Sequence, residues 1–301
     1  MTAEDLAANA TRFSGFADLY DDARPIPPSE LAPLLASYAR VERPALVVDL
    51  GSGTGLSTRW CATWAERAVG VEPNDDMRHA AEAHPLPNVE YVDGFSHATG
   101  LPDGCADIVL AVQALHWMEP GVTFAEVGRI LRTGGVFAAL DCDWPPSVGD
   151  ARAEAAWERC RARCKRGEDG LAAGLEGDEL VASLDGAPTF VDRERFNRDD
   201  QQHRRVGVGV QRWAKDGHLS RMHESGVFRW TREVVLHTVE PGDARRFVDL
   251  LRSQGDLQTL LKHGITEDQL GVTECVDECV AAIGTSPRDI VFTYRVRLGV
   301  I

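Results

Sequence analysis

Apolar positions along the first half of the chain fall into two alternating rhythms. Short aliphatic runs at 45–50, 68–72, 89–92, 106–112 and 136–141 read as strands, the fourth broken only by Asp107. Between them, helical spacing predicts helices at 55–66, at 75–83 behind an Asn74 or Asp75 cap, and at 120–132, where Arg129, Arg132 and Gly134-Gly135 form a stop. Upstream, residues 4–22 form an amphipathic pattern with Phe13, Phe16 and Tyr20 on one side, ended by a proline-rich stretch. Ser29 is expected to cap a second helix at 29–40, with Leu31, Leu34 and Leu35 facing inward. Strands alternating with helices in short steps predict a parallel sheet covered on both faces.

The pattern changes after Trp144. A helix at 151–166 turns Ala153, Trp157, Cys160 and Cys164 inward, and 167–226 is polar and glycine-punctuated, with helices near 176–184 and 211–225. Strand alternation resumes at 227–239. Helices follow at 243–253, 256–263 and 266–283, the last with a Thr266–Gln269 capping box, and the chain ends in an alternating strand from Ile290.

Residues 47–55 read VVDLGSGTG, and Glu72 closes the next apolar run. Glycines at alternate positions after a strand let backbone approach a ligand closely. An acidic residue ending the neighbouring strand can hold two ribose hydroxyls, so the pair points to a nucleoside at the C-terminal edge of a parallel sheet. A dinucleotide site wants G-x-G-x-x-G. Gly51, Gly53 and Gly55 give G-x-G-x-G instead, and position 56 is Leu. Asp49, just before the loop, would repel a diphosphate and suit a ligand carrying an ammonium and a sulfonium.

With Glu72, the segment Gly94-Phe-Ser, the turn Gln113-Ala-Leu-His-Trp and the hairpin Leu131-Arg-Thr-Gly-Gly, this motif set resembles the class I S-adenosylmethionine-dependent methyltransferases over roughly residues 12–145. The resemblance implies a Rossmann-like α/β fold with a seven-stranded, mostly parallel sheet, helices on both faces and a helical cap insertion. It places the methyltransferase core at 1–142 and 227–301 and the substrate-covering cap at 143–226.

It also implies site residues. Gly51, Ser52, Gly53 and Gly55 would shape the loop at the methionyl end of S-adenosylmethionine, Glu72 would take the ribose, and Asn74 and Met77 would flank the adenine. Phe95 and Ser96 stand where the family places its adenine contacts; Phe95 replaces the commoner acidic residue. Gln113 would present its backbone to the cofactor's amino group. Tyr20 and Arg24 either form a lid over the methionyl part, with Arg24 on its carboxylate, or simply pack and solvate.

Methyl transfer from a sulfonium needs approach geometry and water exclusion, and a base only where the acceptor's proton is hard to lose. His116 is a candidate base, Asp141 and Asp143 candidate orienters of an amine or hydroxyl acceptor, and Trp117 and Trp144 candidate pocket walls; packing and loop capping are the alternatives. His203, Trp213 and His218, in the expected cap, read as surface or packing residues.

The 301 residues suffice for one large or two small domains. A net charge of -15, with three lysines, argues against a nucleic-acid partner, and a small-molecule acceptor from specialised metabolism is expected. The seven cysteines are expected to be reduced, with the Cys160/Cys164 and Cys275/Cys279 pairs packing inside and no metal bound. The first residues are acidic and lack an apolar core, and no stretch approaches a membrane span, so a cytoplasmic location is expected. Oligomeric state is not legible. The competing readings are a non-catalytic S-adenosylmethionine binder, a nicotinamide oxidoreductase, which would need the third dinucleotide glycine, and an RNA or protein methyltransferase, which would want a basic groove.

Overall fold

The computed structural model describes residues 9, 12, 15, 17–185, 204–205 and 211–301. Phe13, Phe16 and His203 lie outside the described residues. Helices α1 (Ala17–Ala23) and α2 (Leu31–Ala39) lead into strand β1 (Leu46–Leu50). Then come α3 (Leu56–Ala62), β2 (Arg67–Val71), α4 (Asp75–Glu82), β3 (Val89–Val92), β4 (Ala106–Val112), a short 3-10 turn at Leu115–Trp117, α5 (Pro120–Ile130) and β5 (Leu131–Cys142). The second half contributes α6 (Ala151–Ala172), α7 (Gly177–Ser183), a two-stranded ribbon of β6 (Arg204–Arg205) and β7 (Gln211–Arg212), and α8 (His218–Glu224). Strand β8 (Trp230–Gly242), α9 (Ala244–Arg252), α10 (Gly255–Lys262), α11 (Glu267–Leu270), α12 (Val272–Ile283) and β9 (Arg288–Val300) complete the chain.

Seven strands form one sheet in the order β3-β2-β1-β4-β5-β9-β8. The first five run parallel, and β9 is antiparallel to both its neighbours. Strand order reverses between β1 and β4, where a doubly wound sheet opens a crevice at the carboxyl ends of its strands. Alternate residues feed two cores. Val47, Ile108 and Ala138 face one side with Leu31 and Leu35 of α2. Val48, Val109 and Phe137 face the other with Phe124 of α5 and Met222 of α8, where Phe124, Phe137 and Phe228 cluster within 6.0 Å. Asp107, the polar break in β4, accepts from the backbone N–H groups of Ala45 and Leu46 and pairs with Arg132, closing the amino ends of β1 and β4.

Several boundaries differ from the sequence expectation. Ser29 does not cap α2: Glu30 occupies the cap position, with no side-chain bond to the helix. The helix expected at 266–283 keeps its Thr266–Gln269 capping box but breaks at Gly271, whose φ of 76° places it in the left-handed region and starts α12 afresh. Residues Gln211–Arg212, expected to be helical, pair with Arg204–Arg205 instead.

The helical layer over the carboxyl end of the sheet draws on both sides of the boundary expected at 226. Helix α6 packs against α10 and α12, which lie between the last two strands. Trp157 Nε1 donates to the Phe247 carbonyl at 3.2 Å, and Arg161 pairs with Asp256 at 2.8 Å. The layer and the sheet share one apolar cluster. Cys160, Cys164, Cys275 and Cys279 are buried in it as free thiols.

Candidate active site

The loop after β1 turns on glycines with positive φ at Gly51, Gly53 and Gly55. Each glycine has its own reason. A Cβ on Gly51 would come within 2.8 Å of Ala114 and 2.9 Å of Met118. One on Gly55, at φ 80°, would run into the Tyr91 hydroxyl. One on Gly53 would meet no protein atom and would project into a cavity. Gly55→Ala is therefore expected to lower the urea stability of the protein by about 1–3 kcal/mol. Adding Tyr91→Ala should relieve the clash and leave only the backbone strain. A single variant as stable as wild type would mean that the loop does not hold this conformation.

Glu72 lies just beyond β2, 7% exposed. Its Oε2 accepts from the Gly53 N–H at 2.8 Å and its Oε1 from the Asn74 N–H at 2.9 Å. Each oxygen retains a further lone pair, and the carboxylate lines a cavity of about 110 Å³ with Gly51, Gly53, Met77, Phe95 and Ser96. Burial raises the Glu72 pKa against these two backbone bonds. Ser52, with its buried Oγ unpartnered, lines a smaller cavity of about 50 Å³ on the other side of the loop, beside Tyr20 and Arg24. The two cavities share Tyr20, Gly51, Gly53, Val112 and Gln113.

Three expected ligand contacts turn out differently. Asp49 faces beneath the loop, where its Oδ2 accepts from Ser57 and Thr58 at 2.6 and 2.7 Å; burial raises its pKa to about 6. Asn74 caps α4 by accepting from the Met77 N–H at 3.1 Å and does not line the cavity. Gly55 faces Tyr91. The Ser96 hydroxyl lines the cavity but already pairs with Thr123 at 2.8 Å. All four arrangements hold the loops that carry the cavity wall.

Helix α1 straps over the glycine loop. Asp21 accepts from Thr54 at 2.8 Å and pairs with Arg59 at 2.7 Å. Arg24 stacks between Tyr20 and Trp144, 4.7 and 4.8 Å from the ring centres, and donates through two nitrogens to Ser253. Two of its three nitrogens are thus committed to the protein, although the side chain lines the small cavity.

At the end of β4, Gln113 holds a φ of 53°, a left-handed conformation that non-glycine residues adopt at a cost. It stands between the 110 Å³ cavity and a larger one of about 260 Å³ on its far side, and Tyr20 and Trp117 line both as well. His116, Asp143 and Trp144 line the larger cavity; Asp143 pairs there with Arg295 at 3.2 Å.

Asp141 does not line it. Its carboxylate is buried in a charged knot, 2.8 Å from Arg297, 2.9 Å from Lys215, 3.5 Å from His116 Nδ1 and 3.8 Å from His218 Nε2. Lys215 and the two histidines hold the Asp141 pKa well below the usual carboxylate range, against its burial. Burial and the Lys215 charge push the His116 pKa well down, so its imidazole is neutral at physiological pH. Asp141 is therefore placed to orient Lys215 and His116 rather than an acceptor. His116, Asp141 and His218 could also converge on a cation. With Arg297 and Lys215 already neutralising the only carboxylate, a divalent ion would have to displace Lys215.

Sequence reasoning missed Lys215, which donates to Gln113 Oε1 at 2.8 Å and so joins the charged knot to the junction of the cavities. It also missed Tyr91, Arg212 and Arg297. The one signal available was the helical spacing of Arg161, Lys165 and Glu168, a polar stripe of α6 beside its apolar one; all three line the larger cavity.

Residues 48–139 match the family model described as a methyltransferase domain. A candidate methyltransferase of Dictyostelium discoideum is 31% identical over 124 residues, 41% of this chain and 46% of that protein. An uncharacterized methyltransferase of Mycobacterium bovis is 35% identical over 124 residues, 41% of this chain and 49% of that protein. The match spans about half the length of these curated relatives. Among solved structures, a candidate type II methyltransferase from Anaeromyxobacter dehalogenans superposes with a TM-score of 0.57 at 24% identity, covering 92% of this chain and 97% of that one, a likeness of fold. The family model and these relatives make residues 48–139 similar to a methyltransferase domain, and the sheet topology and motif order are those expected of a class I S-adenosylmethionine-dependent methyltransferase.

Proposed function

We propose that the protein transfers a methyl group from S-adenosylmethionine to a nucleophilic atom of a small molecule. The observation that carries this reading is the junction at Gln113. A cavity with Glu72 and the open cradle of Gly53 on its wall meets a second, larger cavity there, across residues common to both. When bound, S-adenosylmethionine supplies a methyl group on an activated sulfonium. Glu72 would accept from the ribose hydroxyls, Met77 and Phe95 would flank the adenine, and Ser52, Tyr20 and Arg24 would enclose the methionyl arm. The helical layer of α6 and α10 would exclude water from the larger cavity. With Asp141 beside its Nδ1, His116 favours the tautomer protonated there, leaving Nε2 as the atom that would take an acceptor's proton.

The larger cavity, at about 260 Å³, suits a compact acceptor. The acidic surface favours a small molecule over a nucleic acid, and a specialised-metabolite acceptor fits both points. Among the described residues no helix is long and apolar enough to cross a membrane.

The test is tryptophan fluorescence with S-adenosylhomocysteine and NADH added separately, followed by assay of S-adenosylhomocysteine formed from S-adenosylmethionine across a panel of small acceptors. Saturable binding of S-adenosylhomocysteine and turnover with at least one acceptor are expected. Binding of NADH alone would reverse the assignment. Binding without turnover on any acceptor would favour a non-catalytic binder.

A further inference from the structure

We propose that the larger cavity is an anion site, and that the methyl acceptor is a small molecule carrying a carboxylate or phosphate group held by Arg212. This inference rests on the methyl-transfer reading for the word acceptor, while the anion site stands on its own geometry.

The chain carries 47 acidic against 32 basic side chains, yet the wall of this cavity reverses that balance: Arg12, Arg24, Arg161, Lys165, Arg212 and Lys215 face four carboxylates, Asp143, Glu168, Asp216 and Asp256. Three of the carboxylates are already paired, Asp143 with Arg295 at 3.2 Å outside the cation cluster. Glu168 pairs with Arg12, and Asp256 pairs with Arg161 at 2.8 Å. Arg212 makes no ion pair among the described residues. Its guanidinium lies 5.7 Å from the centre of the Trp117 ring, which Arg12 also approaches, at 5.2 Å. The ribbon strand β7 carries Arg212 to this place, and the next residue fixes it: the Trp213 N–H donates to the His116 carbonyl at 2.8 Å.

These cations feel one another. Burial, then Arg161 and Arg212, push the Lys165 pKa well down; burial, then Arg161, lower that of Arg212. Gathering like charges in a shielded wall is unfavourable unless an anion completes the set. A guanidinium offers a planar fork of donors that matches carboxylate and phosphate oxygens. Trp117 and His116 adjoin Arg212 and line the same cavity, and Trp117 and Gln113 reach the neighbouring one. An acceptor anchored by its acid group on Arg212 would thus extend its other end toward the junction where the methyl group is presented.

The experiment is calorimetric titration at low salt of the protein, first saturated with S-adenosylhomocysteine, with succinate, citrate, inorganic phosphate and neutral succinamide. Saturable binding of at least one anion and none of succinamide is expected. Arg212→Gln should weaken anion binding at least about tenfold, as for loss of a charged hydrogen bond, and leave S-adenosylhomocysteine affinity unchanged. That unchanged affinity also reports a folded site. Arg212→Lys should recover part of the loss. Preference for succinate or citrate assigns a carboxylate acceptor, and preference for phosphate a phosphorylated one. Succinamide binding as tightly as succinate, an Arg212→Gln variant that binds the anions as wild type does, or no anion binding at all would overturn the proposal. Should S-adenosylhomocysteine itself fail to bind, the methyl-transfer reading falls; the same titrations on the free protein then decide the anion site separately.

Discussion

Glu72→Gln is expected to weaken S-adenosylhomocysteine binding by about 2 kcal/mol, roughly thirtyfold, measured by calorimetry. The carboxylate has two tasks in this structure. It holds the loop, accepting from the Gly53 and Asn74 N–H groups at 2.8 and 2.9 Å, and it lines the cavity with its remaining lone pairs. Glutamine keeps the shape but turns one acceptor into an NH2 group that would face a backbone N–H. The loss should therefore appear in the free protein as well, as a small fall in melting temperature. A ligand-induced melting shift that shrinks beyond that fall isolates the ribose contribution. There is also a pH signature. Burial raises the Glu72 pKa, so the carboxylate gains its proton at a higher pH than an exposed glutamate would. Affinity should accordingly decline on acidification while exposed glutamates are still ionised. Wild-type affinity in Glu72→Gln would show that this carboxylate is not the ribose ligand.

Asp141→Asn should destabilise the protein by about 3 kcal/mol, read as a shift in the urea midpoint, because it strips the counter-charge from a buried cluster. Arg297 is 1% exposed and would keep only Glu233, at 2.7 Å; Lys215 would keep only the neutral Gln113. The loss sits at the lower end for a broken buried pair because Glu233 remains. Glu233→Gln, at the more exposed end of the same chain of charges, should cost under about 1 kcal/mol. The sign of the pH dependence follows from the depressed Asp141 pKa. The contribution is present above the usual carboxylate range and is lost as pH falls below it, so wild type and Asp141→Asn should converge in stability under acid. Equal midpoints at neutral pH would mean that the charged knot contributes nothing, and Asp141 would return to consideration as an acceptor contact.

Local sequence was enough wherever the physics is local. The β1 run ends in glycines because only they tolerate the turn, and the structure gives all three a positive φ. Alternating strands and helices implied the doubly wound α/β sheet that the structure has. Gly51, Gly53, Glu72, Met77, Phe95, Ser96 and Gln113, singled out along 63 residues of sequence, meet around one cavity because each follows a parallel strand and all such ends share one edge. The Thr266–Gln269 cap was legible because its partners are three residues apart.

Facing residues distant in sequence were not legible. Asp49 looked like a ligand contact, but which way a strand-end carboxylate turns depends on Ser57 and Thr58 rotating beneath it. Asp141 looked like an acceptor contact until Arg297, 156 residues on, and Lys215 were brought against it. The charge of the larger cavity was least legible, because the net charge of -15 has the opposite sense from its wall. The sequence by itself determined the fold class and the edge of the sheet at which the cavity lies, since backbone conformation and apolar periodicity are properties of neighbouring residues. Only the tertiary structure decided which charges neutralise one another and which are left facing a ligand, because electrostatic pairing depends on distance in space and on burial, and neither is written in the order of residues.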